Sequence, residues 1–178
     1  KYNSLDDFFL MTAKDNFIHI CNLTTSVLGL RKGSLSLKTR KQHIQIPRMI
    51  AAVIGRREEG ISHSIIAETL KRDRASVYHY ERSHQGNYTW EKYRDAFNKV
   101  YMTYKQIEQS KKVFVDKTYM KAFLLKNGVK ESPKNVAHIL VKSDNVDVII
   151  TTSYFDFSNQ LENIKFALRE YKYELKIL

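Results

Sequence analysis

Residues 47–84 decide the fold of the first half of this chain and read PRMIAAVIGRREEGISHSIIAETLKRDRASVYHYERSH. Apolar residues at its start recur at the i, i+3, i+4, i+7, i+8 spacing of one buried helix face: Ile46, Met49, Ile50, Val53 and Ile54. A proline is well tolerated in the first turn of a helix, so the spacing predicts a helix that begins at Pro47. This helix is expected to end at Arg56 and Arg57, before Gly60.

Two capping residues predict the starts of two further helices. Ser62 can cap a short helix with Ile65, Ile66 and Leu70 on its apolar side, and residues 71–72 then form a tight turn. Asp73 can cap a third helix that runs from residue 74 to about residue 84. The last two helices are therefore predicted to form a helix-turn-helix, a pair that also occurs in many small helical domains that do not contact DNA.

Positive charge is concentrated in the same part of the chain. The 178 residues include 30 Lys and Arg against 19 Asp and Glu, which gives a formal net charge of +11. Residues 31–84 contain twelve basic and five acidic side chains (+7), against −1 for residues 1–30 and +5 for residues 85–178. Residues 31–41, RKGSLSLKTRK, follow a predicted helix over residues 15–30 and are suited either to lying along phosphates or to an ordinary solvated loop. An excess of this size attracts polyanions such as nucleic acids.

Two short motifs carry a resemblance to a known family. The stretches PRMIAAVI, residues 47–54, and RDRASVYH, residues 72–79, resemble the C-terminal DNA-binding domain of the bacterial replication initiator DnaA. That family has a Pro-Arg-Gln-hydrophobic-Ala opening and a Gly-Gly-Arg-Asp-His-Thr-Thr-Val-x-His signature. The likeness covers about residues 14–84, less than half of the chain. It implies that Arg48 enters an A·T-rich minor groove and that residues 72–76 read the major groove of a short duplex site.

The resemblance also assigns roles at the start of the third helix. Asp73 can accept a hydrogen bond from a cytosine N4 amine or simply cap its helix. The family histidine is Arg74 here, which can pair with a guanine. The two family threonines are Ala75, which can contact a thymine methyl, and Ser76, which can contact a phosphate or a base. The family's Gly-Gly turn is Leu70-Lys71, without glycine's backbone freedom, so a changed entry angle of the third helix is expected. His79 matches the signature histidine and is predicted to be structural. The candidate DNA-binding residues are Lys38, Arg40, Lys41, Arg48, Lys71, Arg72, Asp73, Arg74, Ala75, Ser76 and Arg82.

The second half of the chain predicts a different organisation and resembles no known family. Helices are expected over residues 90–110, 116–126 and about 158–170, a β-hairpin over residues 136–141 and 146–152, and a last strand over residues 171–178. The predicted fold class is a mostly α N-terminal helix-turn-helix domain (residues 1–86) and a small α/β, or α+β, C-terminal domain (residues 113–178), joined by a connecting helix (residues 87–112). The C-terminal domain is a candidate for homodimerisation, for binding a protein partner or for further phosphate contacts.

Several function classes find no support in the sequence. With one cysteine, Cys21, the chain can form neither an internal disulfide nor a multi-cysteine zinc site, and its apolar neighbours predict a buried thiol. The six histidines show no spacing typical of a metal site, and neither a phosphate-loop motif nor a nucleophile–base pair is present. No apolar run has the length of a membrane span. We therefore expect a protein without catalytic activity, cofactor, metal or membrane association, located in the cytoplasm, with the nucleoid or a phage host's cytoplasm as variants of that location.

The leading functional prediction is a duplex DNA-binding protein that reads a short site and acts in replication or its regulation, with a phage as one source. The alternatives are a sequence-independent DNA-coating or virion structural protein and a transcription regulator. The least favoured hypothesis is that residues 111–178 have catalytic activity, because no catalytic motif is visible there.

Overall fold

The computed structural model describes residues 5–134 and 136–178, which form α-helices and one small antiparallel sheet. The chain divides into two compact units, of which the first ends at Gln106 and the second begins at Ile107. At this coarse level the predicted combination of a helical part with an α+β part is confirmed.

The first unit is built from helices. They are α1 (Leu5–Val27), α2 (Gln42–Glu59), α3 (His63–Leu70), α4 (Arg74–Asn87) and α5 (Glu91–Ser110), with a short 3-10 helix (Ser34–Ser36) between α1 and α2. The last four residues of α5 belong to the second unit. The predicted caps of α3 and α4 are confirmed. The Ser62 hydroxyl accepts a hydrogen bond from the Ile65 N–H at 3.3 Å, and the Asp73 carboxylate accepts one from the Ser76 N–H at 2.7 Å. Each cap satisfies one of the backbone donors that a helix start leaves without an intrahelical partner.

The predicted start of α2 at Pro47 is wrong, because the helix begins five residues earlier, at Gln42. The Lys41 carbonyl accepts hydrogen bonds from the N–H groups of Ile44 and Gln45 and thereby opens a first turn before the proline. Ile44 and Ile46 in this turn are buried, so their packing stabilises it. Pro47 removes only one donor from the helix, close to its start, and the helix continues through it.

The core of the first unit is centred on α2. Ile50, Val53 and Ile54 of this helix are buried and pack in one cluster with side chains from the other four helices: Phe17, Ile66, Leu70, Val77, Tyr93, Phe97, Val100 and Tyr104. Four of these side chains belong to α5, which is expected from the sequence to be a connecting helix. In the structure this helix contributes one apolar face to the core.

The second unit is a small α+β structure. It contains α6 (Lys117–Lys126), β1 (Val136–Ser143), β2 (Val146–Ser153), α7 (Phe157–Ala167) and β3 (Glu174–Ile177). The strand order is β2-β1-β3, and both pairs are antiparallel. Ser143 faces Val146 across a two-residue turn in which Asp144 adopts a positive φ of 55°, so the predicted hairpin is confirmed. Buried residues from helices and strands form its core: Met120, Leu124, Ile139, Ile150 and Ile164.

Candidate nucleic-acid interface

Two arginines fix the basic loop, which we define as residues 31–41. Arg48 of α2 donates hydrogen bonds from Nε to the Leu35 carbonyl at 2.7 Å, from Nη1 to the Thr39 carbonyl at 3.1 Å and from Nη2 to the Leu37 carbonyl at 2.8 Å. Arg72, in the connection between α3 and α4, donates from Nη2 to the carbonyls of Leu37 and Thr39, both at 2.9 Å. Both arginines therefore donate to the same two loop carbonyls, those of Leu37 and Thr39. This holds the loop backbone against α2 and against the start of α4.

This arrangement corrects the minor-groove role predicted for Arg48. Its side chain is completely buried (0% exposed), and a fourth hydrogen bond joins Nη1 to the Gln45 side-chain oxygen at 2.8 Å. Burial, and to a smaller extent the charge of Arg72, lowers the pKa of Arg48. A guanidinium stays protonated at neutral pH even so, because its ordinary pKa is above about 12. Arg48 is thus a structural cation whose donors are used inside the protein.

The clamp brings the cations of the basic loop next to the start of α4. Leu37 and Thr39, whose carbonyls contact Arg72, flank Lys38, and Arg40 and Lys41 follow directly. We define the basic surface as the exposed side chains of Lys38, Arg40, Lys41, Lys71 and Arg74. Within the described ranges none of these five cations forms an ion pair. Five positive charges are therefore available for an external anion.

The first turn of α4 places the other predicted residues. Asp73 acts as the cap, so the capping half of its two predicted roles is present, and the hydrogen bond from Ser76 lowers the pKa of Asp73. Arg74 and Ala75 are exposed and Ser76 is half-buried. Helix N-termini present free N–H groups and the positive end of the helix dipole, both of which favour phosphate.

The outward face of α4 extends further than the sequence predicted. Tyr78, His79 and Arg82 are all exposed, on successive turns beyond Arg74. The structural role predicted for His79 is therefore wrong, because this imidazole is exposed and lies one helical turn before Arg82. Tyr78 stacks on His63 of α3, with ring centroids 3.9 Å apart. Helical spacing is the signal that could have identified them, because Tyr78 lies four residues after Arg74 and His79 lies three residues before Arg82.

A polar brace fixes α4 against its neighbours. The Glu81 carboxylate lies 2.6 Å from His63 Nε2 of α3 and 3.4 Å from Arg56 Nε of α2. Burial raises the pKa of Glu81, but the hydrogen bond with His63 and the charge of Arg56 outweigh it, so the net pKa is lowered and the carboxylate is ionised. The brace keeps the exposed face of α4 in a fixed position relative to α2 and α3.

The turn before α4 takes a conformation that favours glycine. Lys71 has φ 51° and ψ 49°, in the left-handed region, and its N–H bonds the Glu68 carbonyl at 3.1 Å. A left-handed residue with a side chain costs roughly 1 kcal/mol relative to glycine. The lysine thus takes up the local geometry that a glycine permits, at an energetic cost that glycine avoids, and adds one cation to the basic surface.

Neither a metal cluster nor a membrane-spanning helix is present in the part of the chain that the structure describes. It contains no group of three or more His, Cys, Asp or Glu side chains that could hold a metal ion. None of its helices combines the length and the apolar character needed to cross a membrane. Burial raises the pKa of Cys21 to about 12, so its thiol stays protonated at neutral pH.

Comparison of the chain with models of protein families, with curated proteins and with solved structures gives no match. The resemblance to the DnaA DNA-binding domain therefore rests on the two short motifs alone.

Proposed function

We propose that this chain is a non-enzymatic duplex DNA-binding protein that places the start of α4 in the major groove and the basic loop on the flanking phosphates. The observation that carries the proposal is the shared clamp of Arg48 and Arg72 on the carbonyls of Leu37 and Thr39. It unites two segments, one suited to phosphates and one suited to base edges, in a single surface. A role in replication or its regulation follows from the resemblance to DnaA.

The chemistry of the side chains indicates which of them would contact bases and which would contact phosphates. Arg74 at the first position of α4 can pair with both acceptors of a guanine, and Ala75 is small enough to contact a thymine methyl. Lysines 38, 41 and 71 are flexible point charges, which suit phosphate oxygens better than base edges. The connection between α3 and α4 has three residues, which matches the turn of a helix-turn-helix.

The charge pattern of the sequence favours a polyanion over a small acidic ligand. No Asp or Glu occurs from residue 16 to residue 57, while eight Lys and Arg do. Arg48 and Arg56 are held by groups of the protein itself. The other six cations have no counter-charge within this stretch, so an extended polyanion is the partner that neutralises it best. Release of condensed counterions from the duplex then contributes to the affinity.

Selection of the full chain against random duplexes tests the proposal. We expect a recovered site that binds more tightly than bulk duplex by a factor on the order of a thousand or more at physiological salt. Arg74→Ala is expected to cost about 1–3 kcal/mol on that site and to relax the preference at one position. Lys99→Ala, which removes an exposed cation from α5, is the matched control and should change neither quantity.

Two results would contradict the proposal in different ways. If selection recovers no site, and Arg74→Ala and Lys38→Ala weaken every duplex equally, the protein coats DNA without reading it, which is the second candidate function. If no duplex binds at moderate salt, DNA binding itself is excluded. A role of residues 113–178 in dimerisation or partner binding stays a prediction, and an inverted repeat in the selected site would support dimerisation.

A further inference from the structure

A small cavity lies in the first unit, and none of the residues that line it belongs to the basic surface. It has a volume of about 350 Å³ and is lined by residues of α2, α4, α5 and the connection between the last two. This volume falls in the range of small-molecule binding sites, which are commonly lined by aromatic side chains with a few polar groups. The proposed function makes no use of this cavity.

Aromatic rings form the floor and walls of the cavity. Phe97 is 8% exposed, and three rings surround it, with centroid distances of 4.6 Å to His84, 5.5 Å to Tyr101 and 5.9 Å to Tyr88. These four rings all line the cavity. A planar ring inserted among them can stack or pack edge to face, as aromatic pairs prefer.

Each of the three surrounding rings is held by a hydrogen bond. The Tyr101 hydroxyl donates to Glu58 at 2.8 Å, and the Tyr88 hydroxyl donates to the Asn98 side-chain oxygen at 2.7 Å. The Tyr93 hydroxyl bonds His84 Nδ1 at 2.8 Å. The walls are therefore fixed before any ligand enters, which reduces the entropy that binding has to overcome.

Two polar groups in the cavity wall have no partner among the described residues. His84 is 5% exposed, and only its Nδ1 makes a hydrogen bond, so Nε2 is the ring nitrogen left for a ligand. Arg57 is exposed and forms no ion pair within the described chain. Both residues line the same cavity, and burial and the charge of Arg57 lower the pKa of His84.

Glu58, the acidic residue in the cavity wall, does not neutralise the charge of Arg57. The Glu58 carboxylate is 2.6 Å from Lys105 Nζ and accepts the Tyr101 hydrogen bond as well. Its charge is therefore compensated locally, while the charge of Arg57 is not. A planar guanidinium pairs best with a planar carboxylate, through two parallel hydrogen bonds.

We propose that this cavity binds a small aromatic carboxylate of one ring or two fused rings. The ring packs on Phe97 between Tyr88 and Tyr101, and the carboxylate pairs with Arg57 and contacts His84 Nε2. The inference does not depend on DNA binding, because every group it uses lies in the cavity. It goes beyond the proposed function by giving the first unit a second, small-molecule ligand.

Titration of the full chain with benzoate, 4-hydroxybenzoate and indole-3-acetate, followed by NMR, tests the inference. We expect at least one of these probes to bind saturably with a Kd below about 1 mM, and the neutral probe benzamide to bind about tenfold more weakly than benzoate. The imidazole pKa of His84 should rise on binding, because a carboxylate beside Nε2 favours the protonated ring.

Arg57→Gln distinguishes binding through the carboxylate from binding through aromatic packing alone. This exposed substitution should weaken the carboxylate probes about tenfold and leave benzamide unchanged. Arg94→Gln, a change of the same type in α5 outside the cavity lining, is the control and should bind all probes like the original chain. The inference is overturned if no carboxylate saturates at about 10 mM, if benzamide binds as well as benzoate, or if Arg57→Gln has no effect in a folded protein.

Discussion

Arg48 and Arg72 donate five hydrogen bonds to backbone carbonyls of the basic loop. Residues 37–41 belong to no helix or strand, so the Thr39 carbonyl would otherwise depend on water, while the Leu37 carbonyl also accepts a hydrogen bond from the Thr39 N–H. The guanidinium is the side chain best suited to this task, because it holds several donors in one rigid plane. At the scale of the residue, the buried Arg48 and the half-buried Arg72 thus organise a loop whose own cations stay exposed.

Removal of the buried guanidinium is expected to destabilise the first unit. Arg48→Gln leaves the buried Leu35 carbonyl without its side-chain donor and weakens the hold on the other two acceptors, so the free energy of unfolding should fall by about 2–3 kcal/mol. Urea denaturation measures this loss. Arg31→Gln, an exposed position in the same loop, should change stability by less than about 0.5 kcal/mol. Equal effects of the two substitutions would contradict the structural role of Arg48.

His84 makes stability depend on pH near neutrality. Its pKa is lowered in the folded chain, so below pH 6.5, its ordinary value, the unfolded chain binds a proton that the folded chain does not. Stability is therefore greatest above this pKa and falls as the pH drops through it. The carboxylates of Asp73, Glu58 and Glu81 have lowered pKa values and stay ionised in this range, so they do not produce the fall.

A non-titrating substitution isolates this effect. His84→Gln keeps a group that can bond the Tyr93 hydroxyl but removes the proton uptake. Between about pH 7.5 and pH 5.5 the unfolding free energy of the original chain should fall more steeply than that of His84→Gln. Chemical denaturation at several pH values measures both slopes. Parallel slopes would show that the protonation of His84 is not coupled to folding.

At the scale of the element, the packing of α1 on α2 depends on a glycine. A Cβ built on Gly55 would lie 2.9 Å and 3.1 Å from two ring carbons of Phe17, which is itself completely buried. We expect Gly55→Ala to destabilise the chain by about 1–3 kcal/mol, because the aromatic ring has no room to move. Gly86→Ala in α4 meets nothing within 4 Å and should instead stabilise the chain by roughly 0.5–1 kcal/mol. Thermal unfolding of the two variants should shift in opposite directions, and a stabilising Gly55→Ala would contradict this packing.

The elements show how far the sequence could predict the structure. Ser62 and Asp73 marked helix starts correctly because a cap is a local signal: one side chain satisfies one nearby N–H group. The first turn of α2 escaped prediction because Pro47 is a stronger local signal than the burial of Ile44, which depends on tertiary packing. The role of Arg48 could not be predicted, since its partners are mainly backbone carbonyls 9–13 residues earlier. Every residue has a backbone carbonyl, so no residue type in the sequence marks these acceptors.

The candidate site was predicted unevenly for a related reason. The exposed cations Lys38, Arg40 and Lys41 follow from composition, because a charged side chain in a loop usually stays in water. Their position beside Arg74 follows only from the hydrogen bonds of Arg72, which span 33 and 35 residues of sequence. Sequence patterns report on neighbours along the chain, and the site depends on neighbours in space.

At the scale of the whole molecule, the excess of positive charge should determine how affinity for DNA depends on salt. If Lys38, Arg40, Lys41 and Lys71 contact phosphates while Arg74 reads a base, the slope of log K against log salt concentration is expected to be about −3.6 for duplex DNA. Each contact contributes about −0.9 to this slope. Cations elsewhere in the chain contribute only if they too reach the duplex.

Single substitutions can assign this slope to the basic surface. Lys41→Gln should reduce its magnitude by about 0.9 on any duplex, selected or random, because a phosphate contact carries no sequence information. Lys99→Gln on α5 removes the same net charge and should leave the slope unchanged. Fluorescence anisotropy of a labelled duplex, measured at several salt concentrations with the full chain, gives all three slopes. If Lys41→Gln and Lys99→Gln behave alike, the net charge of the protein attracts the duplex, and the clamp on the basic loop has no part in binding.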